Sequence, residues 1–399
     1  MNSNNNFPAK KPPSSRSIRL SFGRRLAIFL ALMAISLTAL GYSLTRRLSI
    51  PSGWREITVQ TSLPTPAGKF HFFYDLPSQG AQDTYRALTG LYTDTMEEAS
   101  VWFDKDHTAD DVFNLASLSA SPSSGPLVLP HALYQALKDM EEAGNRSLYL
   151  APVYEQYNTL FHCTEDFEAR NYDPHLNPEL SSSIREVLSF VGDPDHIHLI
   201  FDEEKEAASL YVSPEYQAYA SSNGQTAFLD LSWMTNAFIL DLVGSRLREA
   251  GLTDGFITTD EGFGLCLDTR GTLYTLALPE EENASAAPPD DGLLDYQGPL
   301  SLITYRAFPA DAKAFDDYYY VYEDGRICTG YISPEDGLSK EALASWAVYS
   351  PDLSVSGLLL RTAPVYISDV WDEEAARALA EDGIFSAWHQ DGQVITTES

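Results

Sequence analysis

The stretch Phe228-Leu-Asp-Leu-Ser-Trp-Met-Thr-Asn-Ala-Phe-Ile-Leu-Asp-Leu-Val-Gly-Ser-Arg-Leu-Arg-Glu-Ala-Gly251, followed by Gly255-Phe-Ile-Thr-Thr-Asp-Glu-Gly-Phe-Gly264, carries the strongest structural signal in the chain. Residues 228–231 predict a strand. Ser232 is a natural N-cap for a helix through Glu249, because Met234, Phe238, Ile239, Leu242, Val243 and Leu247 recur on one face. Gly251 supplies the helix stop. A second strand and a loop of two acids and two glycines follow. This order sets a helix N-terminus beside a flexible loop at one sheet edge, a corner where free backbone N–H groups can receive a phosphorylated cofactor.

Upstream, residues 56–60 and 69–76 predict an opening hairpin, with Val59, Phe70, Phe72 and Tyr74 in near alternation. A long helix is expected from Ala81 to Trp102, because Tyr85, Leu88, Leu91, Tyr92, Met96 and Ala99 recur near every 3.6 residues. Residues 133–143 predict a helix stopped at Gly144, and 178–190 another. Strands at 196–201 and 208–212 lead into the strand before Ser232. Downstream, segments 300–308, 318–322, 327–332, 342–349 and 356–361 precede a closing helix near 372–379 and a strand at 394–397. No internal repeat is apparent, and the acidic, proline-bearing stretch 279–292 reads as a surface excursion within one domain, 54–399.

Residues 1–25 are polar, carry several bases and predict a disordered cytoplasmic tail. Residues 26–44 contain no charge and approach the roughly 20 residues that span a bilayer as a helix. They predict a transmembrane helix or signal anchor, with 45–53 as juxtamembrane linker. Ala39-Leu-Gly41 keeps the alternative of a cleaved signal peptide open. Either way the C-terminal domain is expected to be extracytoplasmic, held at the membrane by a single pass or secreted.

Eight of the 26 basic residues precede residue 48 and no acid does, so the exported part carries 57 acids against 18 bases. Such a surface repels nucleic acid. Cys163, Cys266 and Cys328 are too few and too scattered for a disulfide framework or a zinc site. His196-Ile-His198 has metal-compatible spacing but no third ligand near in sequence.

Several segments carry a family resemblance. Glu98-Ala-Ser-Val-Trp-Phe-Asp104 with Asn114 is similar to an early "leucine-serine, aromatic-aspartate, later asparagine" stretch. The run from Leu229 to Asp241 is similar to a "leucine-aspartate-leucine-glycine-glycine-x-alanine-lysine-glycine" turn. Asp324-Gly-Arg-Ile-Cys-Thr-Gly-Tyr-Ile-Ser-Pro-Glu-Asp-Gly337 resembles a hairpin with paired histidines, and Ser356-Gly-Leu-Leu-Leu-Arg-Thr-Ala363 an aspartate-to-threonine metal motif. Together they resemble the ApbE-like family of FAD:protein FMN transferases, over most of 81–399. The resemblance implies a single α+β, T-fold-related domain of mixed sheet and helix, FAD and Mg²⁺ as ligands, and transfer of FMN to a Ser or Thr of a partner protein.

The departures from that pattern are systematic. The two glycines of the turn fall on Ser232 and Trp233, the metal-touching alanine on Thr235 and the lysine on Asn236. The histidine pair falls on Thr329 and Gly330. A threonine-serine-glycine segment falls near Lys313-Ala-Phe315, and Ala151-Pro-Val-Tyr-Glu-Gln-Tyr157 replaces an "aspartate-proline-threonine-valine-glycine" segment. The metal aspartate falls on Leu358, while the threonine remains as Thr362. By the resemblance, Ser232, Trp233, Thr235, Asp260, Glu261 and Gly262 are the candidate cofactor-binding residues, and Thr235 and Thr362 the candidate Mg²⁺ ligands. Trp233 also reads as core, 260–262 as an ordinary β-turn, and Tyr154 and Tyr157 as flavin wall or packed aromatics.

Phosphoryl-type transfer depends mainly on positioning and on charge neutralisation by metal and cation. Two functions remain open: an active transferase with an altered metal site, or a silent relative that keeps a flavin or nucleotide pocket, or only the scaffold, and serves a membrane-associated protein partner. The mapping also predicts that Leu358→Asp raises Mg²⁺ affinity.

Overall fold

The computed structural model describes Met33 and residues 50–278, 293–309, 318–391 and 393–397. The chain divides into two units, 1–51 and 52–399. The tail, nearly all of the 26–44 segment, the 279–292 excursion and Lys313-Ala-Phe315 lie outside the described residues. Among the described residues no helix is long and apolar enough to cross a membrane.

The second unit is built on an eight-stranded antiparallel sheet: β1 (Gly53–Ile57), β2 (Phe70–Leu76), β3 (Gly255–Thr259), β4 (Phe263–Cys266), β5 (Leu300–Arg306), β6 (Ser345–Ser350), β7 (Phe385–Gln390) and β8 (Gln393–Thr396). Spatial order equals chain order, so the sheet is a meander. The hairpin register, Gly53 opposite Leu76 and Ile57 opposite Phe72, fixes which side chains face inward. In β2 the alternation is complete: Phe70, Phe72, Tyr74 and Leu76 are buried, and the residues between them half-buried.

That buried face continues through Ile257, Ile303, Tyr305, Trp346 and Trp388 across the paired strands. Each such side chain stabilises the fold by roughly 1.5–3 kcal/mol on burial. Three helices cover it: α1 (Ala81–Trp102), α2 (Thr235–Glu249) and α3 (Val355–Tyr366). The Phe72 ring meets Tyr92 of α1 edge-on at 5.3 Å between centroids. On the other face a two-stranded ribbon, Leu273–Ala277 with Leu293–Gln297, packs Tyr274, Leu276 and Tyr296 around Cys266, Leu300 and Tyr349.

Residues 77–254 form one long insertion between neighbouring strands β2 and β3. Besides α1 and α2 it holds a three-stranded sheet, Leu127–Val128, Ala207–Val212 and Ile197–Asp202, and the helices His131–Glu142, Ala151–Phe161, Pro178–Val191 and Pro214–Ser222.

Two expectations are corrected. Residues 228–231 are not a strand: Phe228 and Leu229 donate to the Ser119 hydroxyl, and Asp230 to the Leu148 carbonyl, so no neighbouring strand is needed to satisfy them. Ser232 is not the side-chain cap of α2; a 3₁₀ turn, Ser232–Met234, precedes that helix. The 356–361 segment lies within α3, whose cap is Ser354, its hydroxyl accepting from the Gly357 N–H at 3.0 Å.

Candidate functional site

The turn into α2 is held by a side chain that precedes it. Asp230 Oδ1 accepts from the Ser232 N–H at 2.6 Å, and the Thr235 hydroxyl donates to the Ser232 carbonyl at 2.8 Å. Ser232 sits at φ +48°, a left-handed conformation that glycine adopts most readily. The backbone thus adopts a glycine-type turn with a serine at its centre.

Ser232 and Thr235 form one wall of a cleft of about 400 Å³, within the range of small-molecule sites. Facing walls come from Lys69 just before β2, from Asp104, Lys105 and Asp106 after α1, from Tyr154, Glu155 and Asn158, and from Tyr318 and Gly330. Asn114 fixes the segment after α1: its Nδ2 donates to the Val101 and His107 carbonyls, and its Oδ1 caps the Leu115–Ala120 helix. Asp104 Oδ1 accepts from the Asp106 and His107 N–H groups.

Burial pushes the Asp230 carboxyl up to about 6, although Lys105 opposes this. The Lys105 ammonium lies 2.9 Å from Asp106 and 3.7 Å from Asp230. Burial works against its charge, yet the two carboxylates hold its pKa above the ordinary value. Burial also raises the Tyr154 hydroxyl, with Asp230 adding to the effect.

The acidic loop is arranged differently from a cofactor cradle. Asp260 is bound by His71 Nε2 at 2.8 Å, and its carbonyl accepts from Arg306 at 2.6 Å; it does not line the cleft. Gly262 has φ +102°, and a Cβ there would fall 2.2 Å from the Thr304 carbonyl oxygen. Its glycine therefore serves the β3–β4 turn against β5. Glu261 points inward: its Oε1 accepts from Asn236 Nδ2 at 2.7 Å and lies 3.8 Å from the Lys69 ammonium. Burial raises its pKa. Trp233 is buried, parallel to Phe263 at 6.0 Å and edge-on to Tyr331 at 4.9 Å.

The residues do not fit a magnesium ion. Thr362 is fully buried; its hydroxyl donates to the Leu358 carbonyl at 2.8 Å and accepts from the Tyr305 hydroxyl at 2.7 Å. Leu358 is fully buried as well. Thr235 lines the cleft and Thr362 does not, so the two are not brought to one opening. Asp241 spends both carboxylate oxygens on the Val355 and Ser356 N–H groups at 2.8 Å, pinning α3 to α2. No group of three or more His, Cys, Asp or Glu able to hold a metal occurs among the described residues. Magnesium needs near-octahedral oxygen donors.

Thr329 is tied to Ser339 at 3.0 Å, and Gly330 lines the cleft with the Tyr318 ring packed against it. Tyr154 and Tyr157 both line the cleft, and the Tyr157 hydroxyl also donates to the Gly337 carbonyl and accepts from the Ser339 N–H, a structural tie. His196 and His198 are each engaged locally, by Ser213 and by the Pro194 carbonyl. The three cysteines are free. Sequence reasoning did not single out Lys69, Lys105, Asp230 or Tyr318. Asp230 had a signal, its place in the Leu-Asp-Leu run; the others are gathered only by the fold.

No family model and no curated protein matches the chain. Solved structures do match. The ApbE protein of Thermotoga maritima aligns at TM-score 0.58 and 12% identity, covering 86% of this chain and 97% of that one. The flavin transferase ApbE of Vibrio cholerae aligns at 0.51 and 12%, over 87% and 97%, and a histidine-to-glycine mutant of it at 0.52 and 14%, over 86% and 97%. The chain therefore has the ApbE-like fold, carried by a sequence widely diverged from those of the solved flavin transferases.

Proposed function

We propose that this protein is a flavin-nucleotide-binding relative of the FAD:protein FMN transferases that has lost metal-assisted transfer and serves a membrane-associated protein partner from outside the cytoplasm. The observation that carries the reading is the burial of Thr362 between Tyr305 and Leu358, in a region with no carboxylate cage among the described residues. Without a divalent ion, and with Asn236 in place of a lysine and committed to Glu261, the charge that develops in phosphoryl transfer has little to neutralise it. Binding places fewer demands on the cleft. Tyr154 and Tyr318 offer aromatic walls, and Lys69 and Lys105 offer cations for a phosphate.

The test is titration of the purified full-length protein with FAD and FMN, with and without Mg²⁺, followed by incubation with FAD and a Ser/Thr-bearing acceptor protein. The expected result is Mg²⁺-independent flavin binding with no covalent flavin on the acceptor. Covalent flavinylation would make the protein an active transferase, and absence of flavin binding would remove the flavin reading altogether.

A further inference from the structure

The inner end of the cleft leads to a second feature. Tyr318 and Gly330 are shared with a smaller cavity of about 10 Å³, whose other walls are Trp233, Tyr319, Tyr331 and Glu261. That volume admits about one small group. Among the described residues Glu261 is the one charged residue lining it, and its side chain is only 3% exposed. Oε1 is satisfied by Asn236, but Oε2 meets no hydrogen-bond partner. The Lys69 charge, the Glu261 backbone N–H and the Thr259 hydroxyl each favour the ionised carboxyl against its burial, but no donor meets Oε2 in hydrogen-bonding geometry. A buried carboxylate oxygen left this way is costly, and a donor supplied from outside would offset that cost.

Four aromatic rings around one carboxylate make a box that favours a cation. The fold already shows this preference at the rim, where the Lys69 ammonium stands 4.5 Å from the Tyr318 ring centroid and 3.8 Å from Glu261.

We propose that the Glu261 cavity is a subsite for the primary ammonium group of a ligand, donating N–H to Oε2 between the faces and edges of the Trp233, Tyr318, Tyr319 and Tyr331 rings. The small volume and the unmet acceptor select –NH₃⁺ over a quaternary ammonium, which is larger and has no N–H. This goes beyond the flavin reading and does not depend on it.

The experiment is calorimetric titration of the full-length protein with methylammonium chloride, using tetramethylammonium chloride as the size control. Methylammonium is expected to bind saturably and tetramethylammonium at least tenfold more weakly. Glu261→Gln should weaken methylammonium binding at least tenfold. Lys69→Met, which removes the competing cation at the rim, should strengthen it severalfold, and this variant decides the matter if Glu261→Gln does not fold. Absence of methylammonium binding, equal binding of the two ions, or Lys69→Met binding no tighter than wild type would each overturn the proposal. FAD titration of the same samples separates the two ideas: flavin binding without ammonium binding removes the subsite alone, and the reverse removes the flavin reading alone.

Discussion

Asp230 and Ser232 hold the turn at the mouth of the cleft at some cost to stability. The Asp230 carboxyl stands at about 6 against an ordinary 3.8, so the folded state binds its proton more tightly than the unfolded chain does. Protein stability therefore falls as pH rises through the window from 4 to 6, and the penalty is fully present above it. That displacement corresponds to about 3 kcal/mol at most. Asp230→Asn, which retains an oxygen for the Ser232 N–H, is expected to stabilise the protein at pH 8 by up to that amount, and the gain should vanish at pH 4 in denaturant unfolding. Ser232 has the second cost, a positive φ in a residue with a Cβ. Ser232→Gly should raise stability by about 0.5–1 kcal/mol, read from the same curves, because the turn is kept and the strain relieved.

Among the elements, the sequence is most informative where periodicity is long. The Ala81–Trp102 helix runs over the predicted span because its apolar stripe, Tyr85 to Ala99, persists for about four turns and carries the helix through Gly90. The opening hairpin and the Gly251 stop, at φ +68°, are legible for similar local reasons. Residues 228–231 mislead because an apolar run does not reveal that a serine hydroxyl and a distant carbonyl satisfy its backbone. The helix Val355–Tyr366 hides because Gly357 and Pro364 interrupt its pattern. In the site, the turn and Glu261 are visible in sequence. Lys69, Lys105 and Tyr318 are not, since only the meander and its insertion bring them to one opening. The structure also reverses one expectation. Leu358 is fully enclosed, so Leu358→Asp would bury a carboxylate and should destabilise the fold by about 4 kcal/mol or more without creating Mg²⁺ affinity. Thermal unfolding with and without MgCl₂ checks both parts.

For the whole molecule, the formal charge of −31 is a long-range term that no single contact cancels. Repulsion among surface carboxylates weakens the compact state, and salt screens it over about 10 Å at 0.1 M. Raising NaCl from 10 to about 300 mM at pH 8 should therefore raise Tm, with sulfate avoided so that screening rather than surface exclusion is measured; an unchanged Tm would show that the carboxylates are already locally compensated. The meander carries a further consequence for the nascent chain. Strands β2 and β3 are adjacent in space, yet residues 77–254 must leave the ribosome before the second can join the first. Until then the Phe70–Leu76 strand, paired along one edge by Gly53–Ile57 and roofed by the Ala81–Trp102 helix, keeps its other edge unclaimed, an opening for pairing with another chain.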